Sequence, residues 1–424
     1  MKQILLIAAF SATVNGFAQK ADNVINLREV RRIEQVLASD DMQGRRTGTP
    51  GIEKAAQFIS AEFKKTGLKP LKGDSYLQSF STLRPKSLSV KGEMDDQELD
   101  PKNIIVVTTK PDFKVNEKDG FDMQYIRAGE DISRVTEFIS GNKNTVVFID
   151  TSFSRIFPRL TNLKRQIFPM DHSVVFILGN YQPKEFNVKA EHSFEEEKMA
   201  NVVGLLPGKS KPNEYVVFSA HYDHLGIGKP VNGDSIYNGA NDDASGTTAV
   251  MMLAKYFKQI GNNERTIIFV AFTAEEIGMY GSRYFSNQLN PEQVVAMFNI
   301  EMIGTESLWG KNSAFITGFD KSNMGTILQQ NLKGSAFTFH PDPYPAQSLF
   351  YRSDNATLAR LGVPAHTIST AKMEKEPYYH SPDDEIETLD LENMTEIIRA
   401  IATSSRSIIA GKDTPSRVKK EDVR

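Results

Sequence analysis

The sequence predicts an α/β fold: a mixed, mainly parallel sheet sandwiched by helices, interrupted by a small β-rich insert. Three observations predict it. Residues 215–220, 266–272, 294–300 and 364–368 are short, continuously apolar runs, as expected of strands buried on both faces. A mostly apolar helical stretch at 247–257 separates the first two of these runs, the alternation of an α/β protein. Between 92 and 198 the texture changes: apolar runs at 104–107, 146–149 and 174–178 are divided by long charged or Pro-containing stretches.

Taken in order, residues 1–18 read as a signal peptide. Lys2 supplies the positive start, 4–14 the apolar stretch, and Gly16-Phe17-Ala18 a small-x-small cleavage site. The expectation is an exported protein, periplasmic or extracellular. No later run approaches the ~18 apolar residues of a membrane span.

Residues 19–91 form the helical start of the main domain. Leu27, Val30, Ile33 and Val36/Leu37 recur at helical spacing. A polar, Gly-rich loop follows at 40–49. Pro50 then opens a second helix, with Thr49 as its cap, Ile52, Ala55, Ala56, Ile59 and Phe63 on one face, and Gly67 at its end. The insert occupies 92–198, the main core 199–411, and 412–424 reads as a polar, frayed tail.

Composition narrows the chemistry. The 424 residues carry 50 basic and 53 acidic side chains with no basic stripe, which argues against nucleic-acid binding. Cys is absent, so thiolate nucleophiles, thiolate metal sites and disulfides are all excluded. The run Gly204-Leu205-Leu206-Pro207-Gly208-Lys209-Ser210 imitates a phosphate loop, but one residue is missing between its glycines and Pro212 follows where a helix must start. There is no Gly-x-Ser-x-Gly elbow and no His-Glu-x-x-His helix.

What remains is a set of His and carboxylate segments, four of them placed at or just beyond apolar runs, where open parallel sheets build their ligand sites. Ala220-His221-Tyr222-Asp223-His224 offers a ring nitrogen, with Asp223 two residues on to hold the ring. Alone, His-x-Asp is more often a surface hydrogen bond. Asn241-Asp242-Asp243-Ala244-Ser245-Gly246 precedes the apolar helix and could simply cap it. Glu275-Glu276 follows Phe272-Thr273, and Glu301 follows Ile300. His380 lies in Tyr379-His380-Ser381-Pro382, past the last strand. Together they form the His and carboxylate set that holds Zn²⁺ without sulfur. One bridging carboxylate would let it hold two ions, ~3.5–4 Å apart in two-metal hydrolases.

In their order and wording these segments, with Ile236-Tyr237-Asn238-Gly239-Ala240 and Asn299-Ile300-Glu301-Met302-Ile303-Gly304, resemble the co-catalytic di-zinc aminopeptidases of metallopeptidase family twenty-eight. That family is related to glutamate carboxypeptidases and glutaminyl cyclases. The likeness runs from about 201 to 389. It implies a zinc-exopeptidase-like α/β/α fold, two Zn²⁺ per chain and a peptide substrate with a free N-terminus. His221 and Glu301 would bind one ion, Glu276 and His380 the other, and Asp242 would bridge them. Glu275 would be the general base to a metal-bridged hydroxide, and Asp223 would orient His221. Tyr351, Tyr378 and Tyr379 are candidate oxyanion donors. Glu301 departs from the family pattern, which usually has Asp there. The insert falls where relatives carry a protease-associated domain. Cyclase and carboxypeptidase chemistries on the same fold are the alternatives; Tyr222 replaces the Trp typical of cyclases at that position. His172, His192, His340 and His366 read as ordinary hydrogen-bonding residues, and His224 as a neighbour of the metal set.

Overall fold

The computed structural model describes residues 23–419. The signal peptide expected at 1–18 lies outside the described residues. These fall into two compact units, one built from the segments up to Ser79 and from Met199 onward, the other Phe80–Lys198.

The larger unit is an α/β/α sandwich. Its sheet strands are β1 (Phe186–Leu206, through its C-terminal half), β2 (Lys211–His221), β3 (Arg265–Phe272), β4 (Val294–Ile300), β5 (Ser313–Ile316), β6 (Thr338–Pro341) and β7 (Ala365–Ser369). They lie in the order β6-β5-β7-β4-β2-β3-β1. The central four, β3, β2, β4 and β7, are mutually parallel. Antiparallel pairing of β1 to β3 and of β5 to β7 closes the parallel core on either side. The expected runs at 215–220, 266–272, 294–300 and 364–368 are therefore these four central strands.

Alternate residues of each strand feed opposite cores. Val216, Phe218 and Ala220 of β2 face one side with Ile267, Phe269, Ala296 and Phe298. That side is covered by helices α1 (Leu27–Leu37), α2 (Pro50–Thr66), α3 (Ser245–Ile260) and, at the end of the chain, α4 (Leu391–Ser404). Phe218 is its centre, with ring centroids 4.8 Å from Phe298, 5.6 Å from Phe257 and 5.8 Å from Phe269. Val217, Ile268, Val270 and Phe272 point the other way, against Phe285, Leu358 and Val363.

Two boundary expectations are corrected. Thr49 precedes α2, but its hydroxyl donates to the Arg46 carbonyl instead of capping the helix; the cap that forms is Asn26, which accepts from the Glu29 amide of α1. The tail does not fray through its described part. Val418 is buried, Arg417 donates to the Pro291 and Val294 carbonyls, and Arg265 reaches the Asp413 carbonyl. Polar composition misled here, because the anchoring groups are backbone carbonyls.

The smaller unit begins at Phe80 rather than near residue 92. Its four-stranded sheet runs Ile104–Val107, Val174–Leu178, Thr145–Ile149 and Asp122–Ile126, the last three parallel. One face packs on Phe113, Val115, Phe186 and Val188, the other beneath Val135 and Phe157. No helix among the described residues is long and apolar enough to cross a membrane.

Candidate metal centre

The C-terminal ends of β2, β3 and β4 carry the chemistry, as expected of an open parallel sheet. His221 is the last residue of β2 and fully buried. Its Nδ1 lies 3.0 Å from the main-chain carbonyl of Asp223 and donates to it, so Nε2 presents a lone pair. That Nε2 sits 3.2 Å from Asp242 Oδ1 and 3.3 Å from Glu301 Oε1. The other oxygen of Asp242, Oδ2, is 3.4 Å from His380 Nε2, and His380 Nε2 is 3.2 Å from Glu276 Oε2. All five predicted ligand positions are thus brought together, with the two oxygens of Asp242 directed to different clusters.

The local sequence dictates this arrangement. Asp242 and Asp243 lie in an irregular turn, Ala240–Ala244, leading into α3. The peptide bond between them is cis. Asp243 braces the cluster: its carboxylate accepts from the amides of His221, Gly246 and Met302, tying β2, α3 and the end of β4 together, and it stands with His221 and Glu301 in a group whose ligand atoms lie within 4.8 Å of one another. At Gly246 a Cβ would lie 2.2 Å from the Ile300 carbonyl, so only glycine lets α3 approach Glu301 this closely. Glu301 extends beyond β4 and accepts from the Ser353 hydroxyl, which in turn accepts from Asn299. That contact fixes the end of the Glu301 side chain.

Asp223 takes a different part from the one expected. Its carboxylate is 3.8 Å from His221 Nδ1, and the ring is instead held by the Asp223 main chain. The carboxylate accepts from the amides of Glu275 and Glu276 at 3.1 and 3.4 Å, which sets the turn after β3. An extended strand would have aligned side chains two apart, but β2 has already ended at His221.

Electrostatics mark the cluster as short of positive charge. Burial raises Asp223, Asp354 and Asp384 to about 7 each, against their ordinary carboxylate range. Burial also raises Glu275 well above its usual value, with Glu301, Asp354 and Glu276 adding to it. Burial works against a charge on His221, yet Glu301 and Asp242 beside it raise its ring well above the ordinary value; His380 rises to about 10 against the same penalty through Asp242 and Glu276. His380 Nε2, His224 Nδ1 and Glu276 Oε1 are buried and lie close to neighbouring donor atoms of the cluster, yet none completes a well-oriented hydrogen bond. Convergent nitrogen and oxygen donors with no sulfur suit a zinc-like cation.

His224, expected as a neighbour of the metal set, stands within it, and two further residues escaped sequence reasoning. His224 is fully buried, its Nδ1 2.8 Å from Glu276 Oε1, and it joins Asp242 and Glu276 in a second group able to hold an ion. Asp384 accepts from the amides of Asn241 and Asp242, holding the bridging residue's main chain. Arg45 is buried behind the same turn. The last two lie far from the motifs in sequence, and no pattern marks them. Of the candidate oxyanion donors, Tyr379 stacks on His380 with centroids 3.9 Å apart, Tyr351 packs edge-on against Phe350, and Tyr378 is exposed. His366 is the buried hydrogen-bonding residue expected.

Residues 201–405, the segment carrying every one of these motifs, match the model of peptidase family M28. These residues belong to peptidase family M28. Aminopeptidase YwaD of Bacillus subtilis (strain 168) is 26% identical to the chain over 258 residues, covering 57% of this chain and 51% of the relative. A probable leucine aminopeptidase of Trichophyton verrucosum is 29% identical over 205 residues, covering 46% and 54%. The chain thus spans about half the length of the curated relatives it matches. An aminopeptidase structure from Aneurinibacillus sp. strain AM-1 aligns with a TM-score of 0.55 at 16% identity, over 96% of this chain and 98% of that one. A zinc aminopeptidase structure from Bacillus subtilis aligns at 0.56 and 16%, over 94% and 99%. At such identity the likeness is one of fold, and it extends beyond the M28 segment to nearly the whole chain.

Proposed function

We propose that this chain is an exported zinc aminopeptidase that removes N-terminal residues from peptides. The observation that carries the reading is Asp242, whose two carboxylate oxygens face separate His and Glu partners. His221 and Glu301 would hold one zinc ion and Glu276 and His380 the other, with Asp242 between them. Zinc supplies two things in such a site, a lowered pKa for the attacking water and polarisation of the scissile carbonyl.

The chain's own residues do the rest. Glu275, which burial raises well above its usual value, takes the proton of the attacking water and passes it to the leaving amine nitrogen. Asp223 positions it by gripping its amide. The carboxylates around the cluster attract the free α-amino group of a substrate, which favours attack at the N-terminus.

Elemental analysis should find two zinc ions per chain, with hydrolysis of free but not N-acetylated peptides. Glu275→Gln should keep both ions and lose ~10²–10⁴ of its turnover. A peptide beginning with Gln that is cyclised, or cleavage from the C-terminus, would transfer the reaction to a cyclase or carboxypeptidase. A metal-free active enzyme would refute the reading.

A further inference from the structure

The M28 match starts at residue 201, yet the group that joins its first two motifs comes from the N-terminal segment. Arg45 is fully buried, and its side chain touches only main-chain carbonyls among its hydrogen-bond partners. Nε donates to Tyr222 at 2.8 Å, Nη1 to Leu37 at 2.6 Å and to Asn238 at 2.5 Å, and Nη2 to Gly239 at 2.9 Å. Four of the five guanidinium N–H donors are thereby spent on three separate segments. Leu37 ends α1, where helix carbonyls lack partners and a cation is favoured. Tyr222 lies between His221 and Asp223. Asn238 and Gly239 lead directly into the turn that carries Asp242.

The loop around Arg45 reinforces the tie. Asp40 accepts from the Asn238 side chain at 2.7 Å, and the His224 amide donates to the Arg45 carbonyl at 3.3 Å. At Gly44, whose φ is +63°, a Cβ would lie 2.4 Å from the Tyr237 carbonyl, so the loop is pressed onto the residue just before Asn238.

We propose that Arg45 is a positioning residue for the metal centre: it sets the distance between the His221 turn and the Asp242 turn. The inference rests on the zinc reading above. A planar fork with a fixed spread can hold carbonyls from both turns at once, whereas an ammonium is a single point on a flexible stem. Arg265 provides a matched control. It too is buried and bonds main-chain carbonyls, those of Ile408 and Asp413, together with the side chains of Glu214 and Thr414, but at the start of β3, the strand end opposite the one that carries Glu275 and Glu276.

The test titrates metal-stripped protein with Zn²⁺ by calorimetry, alongside thermal melts. Wild-type protein should take up two ions; fewer would overturn the zinc reading and this inference with it. Arg45→Lys should bind at least one of them ~10–100-fold more weakly, the cost typical of removing a group that orients a ligand. Arg265→Lys should lose thermal stability while its zinc affinities stay within twofold of wild type. Equal losses of affinity in both variants, or none in Arg45→Lys, would overturn the proposal while leaving the zinc reading standing. Asp40→Ala removes one of the two carboxylates that hold the Asn238 side chain, the other being Glu385, and should weaken binding about 2- to 10-fold, the worth of one hydrogen bond. If Arg45→Lys does not fold, unchanged affinity in Asp40→Ala refutes the proposal.

Discussion

His366 shows how a single histidine outside the metal centre governs pH dependence. It is fully buried in β7, with Nδ1 donating to the Thr317 carbonyl at 2.8 Å and Nε2 accepting from the Ser322 hydroxyl at 2.6 Å. One neutral tautomer satisfies both partners. Burial therefore holds the ring neutral, with its pKa lowered to about 4, while the unfolded chain titrates near its ordinary value of 6.5. Between those two values the unfolded state binds more protons, so stability falls as pH falls. The contribution is complete above about pH 6.5, is lost progressively toward pH 4, and does not decline further below that. The span is worth about 3 kcal/mol in order of magnitude. Urea unfolding of wild type and His366→Gln should show the histidine's advantage shrinking by about 2–3 kcal/mol between pH 7.5 and 4.5. A difference that stays constant with pH would mean the buried ring is not held neutral.

At the scale of elements, the centre depends on how closely α3 can approach β4. Gly246 stands where they meet, with the Ile300 carbonyl and the Asp243 carboxylate within 2.4 Å of where a Cβ would fall. Gly246→Ala should force α3 outward, costing ~1–3 kcal/mol as an overpacked contact does. It should also weaken zinc binding, because Asp242 and Glu301 sit on the two elements being separated. Stability and zinc affinity unchanged from wild type would show that the helix accommodates the methyl group without moving. Contacts of this kind explain what the sequence disclosed and what it withheld. Continuous apolar runs mark β2, β3, β4 and β7, and their ends locate His221, Glu275, Glu276 and Glu301, because burial on both faces leaves a one-dimensional pattern. Asp384 and Arg45 leave none. Each acts on backbone amides or carbonyls of a distant segment, and every residue type presents the same backbone. Asp223 was legible as a member of the site but not in its part, since the chain turns out of strand geometry directly after His221.

At the scale of the whole molecule, the centre is a concentration of buried negative charge that the fold tolerates only in part. Burial and mutual repulsion raise Asp243, Glu275, Asp223, Asp354 and Asp384, which means the cation-free native state carries carboxylates that resist ionising. A cation bound there relieves the repulsion in the folded chain and finds no such cluster in the unfolded one. Folding and binding are then linked: an ion present at a hundred times its dissociation constant stabilises the native state by about 2.7 kcal/mol. For a unit of this size such a gain corresponds to a rise in melting temperature of roughly 5 °C. The linkage acts only on the unit that carries the site. The Phe80–Lys198 unit has its own two buried cores and none of these carboxylates, so its unfolding has no share in that gain. Calorimetry before and after exhaustive chelation should therefore lower the melting of the larger unit and leave any separate transition of the smaller one in place, with added Zn²⁺ restoring the original trace. If metal analysis showed the ions gone and the entire trace unmoved, the carboxylate cluster would have to be stable by itself, and its convergence around Asp242 would need an explanation other than a bound cation.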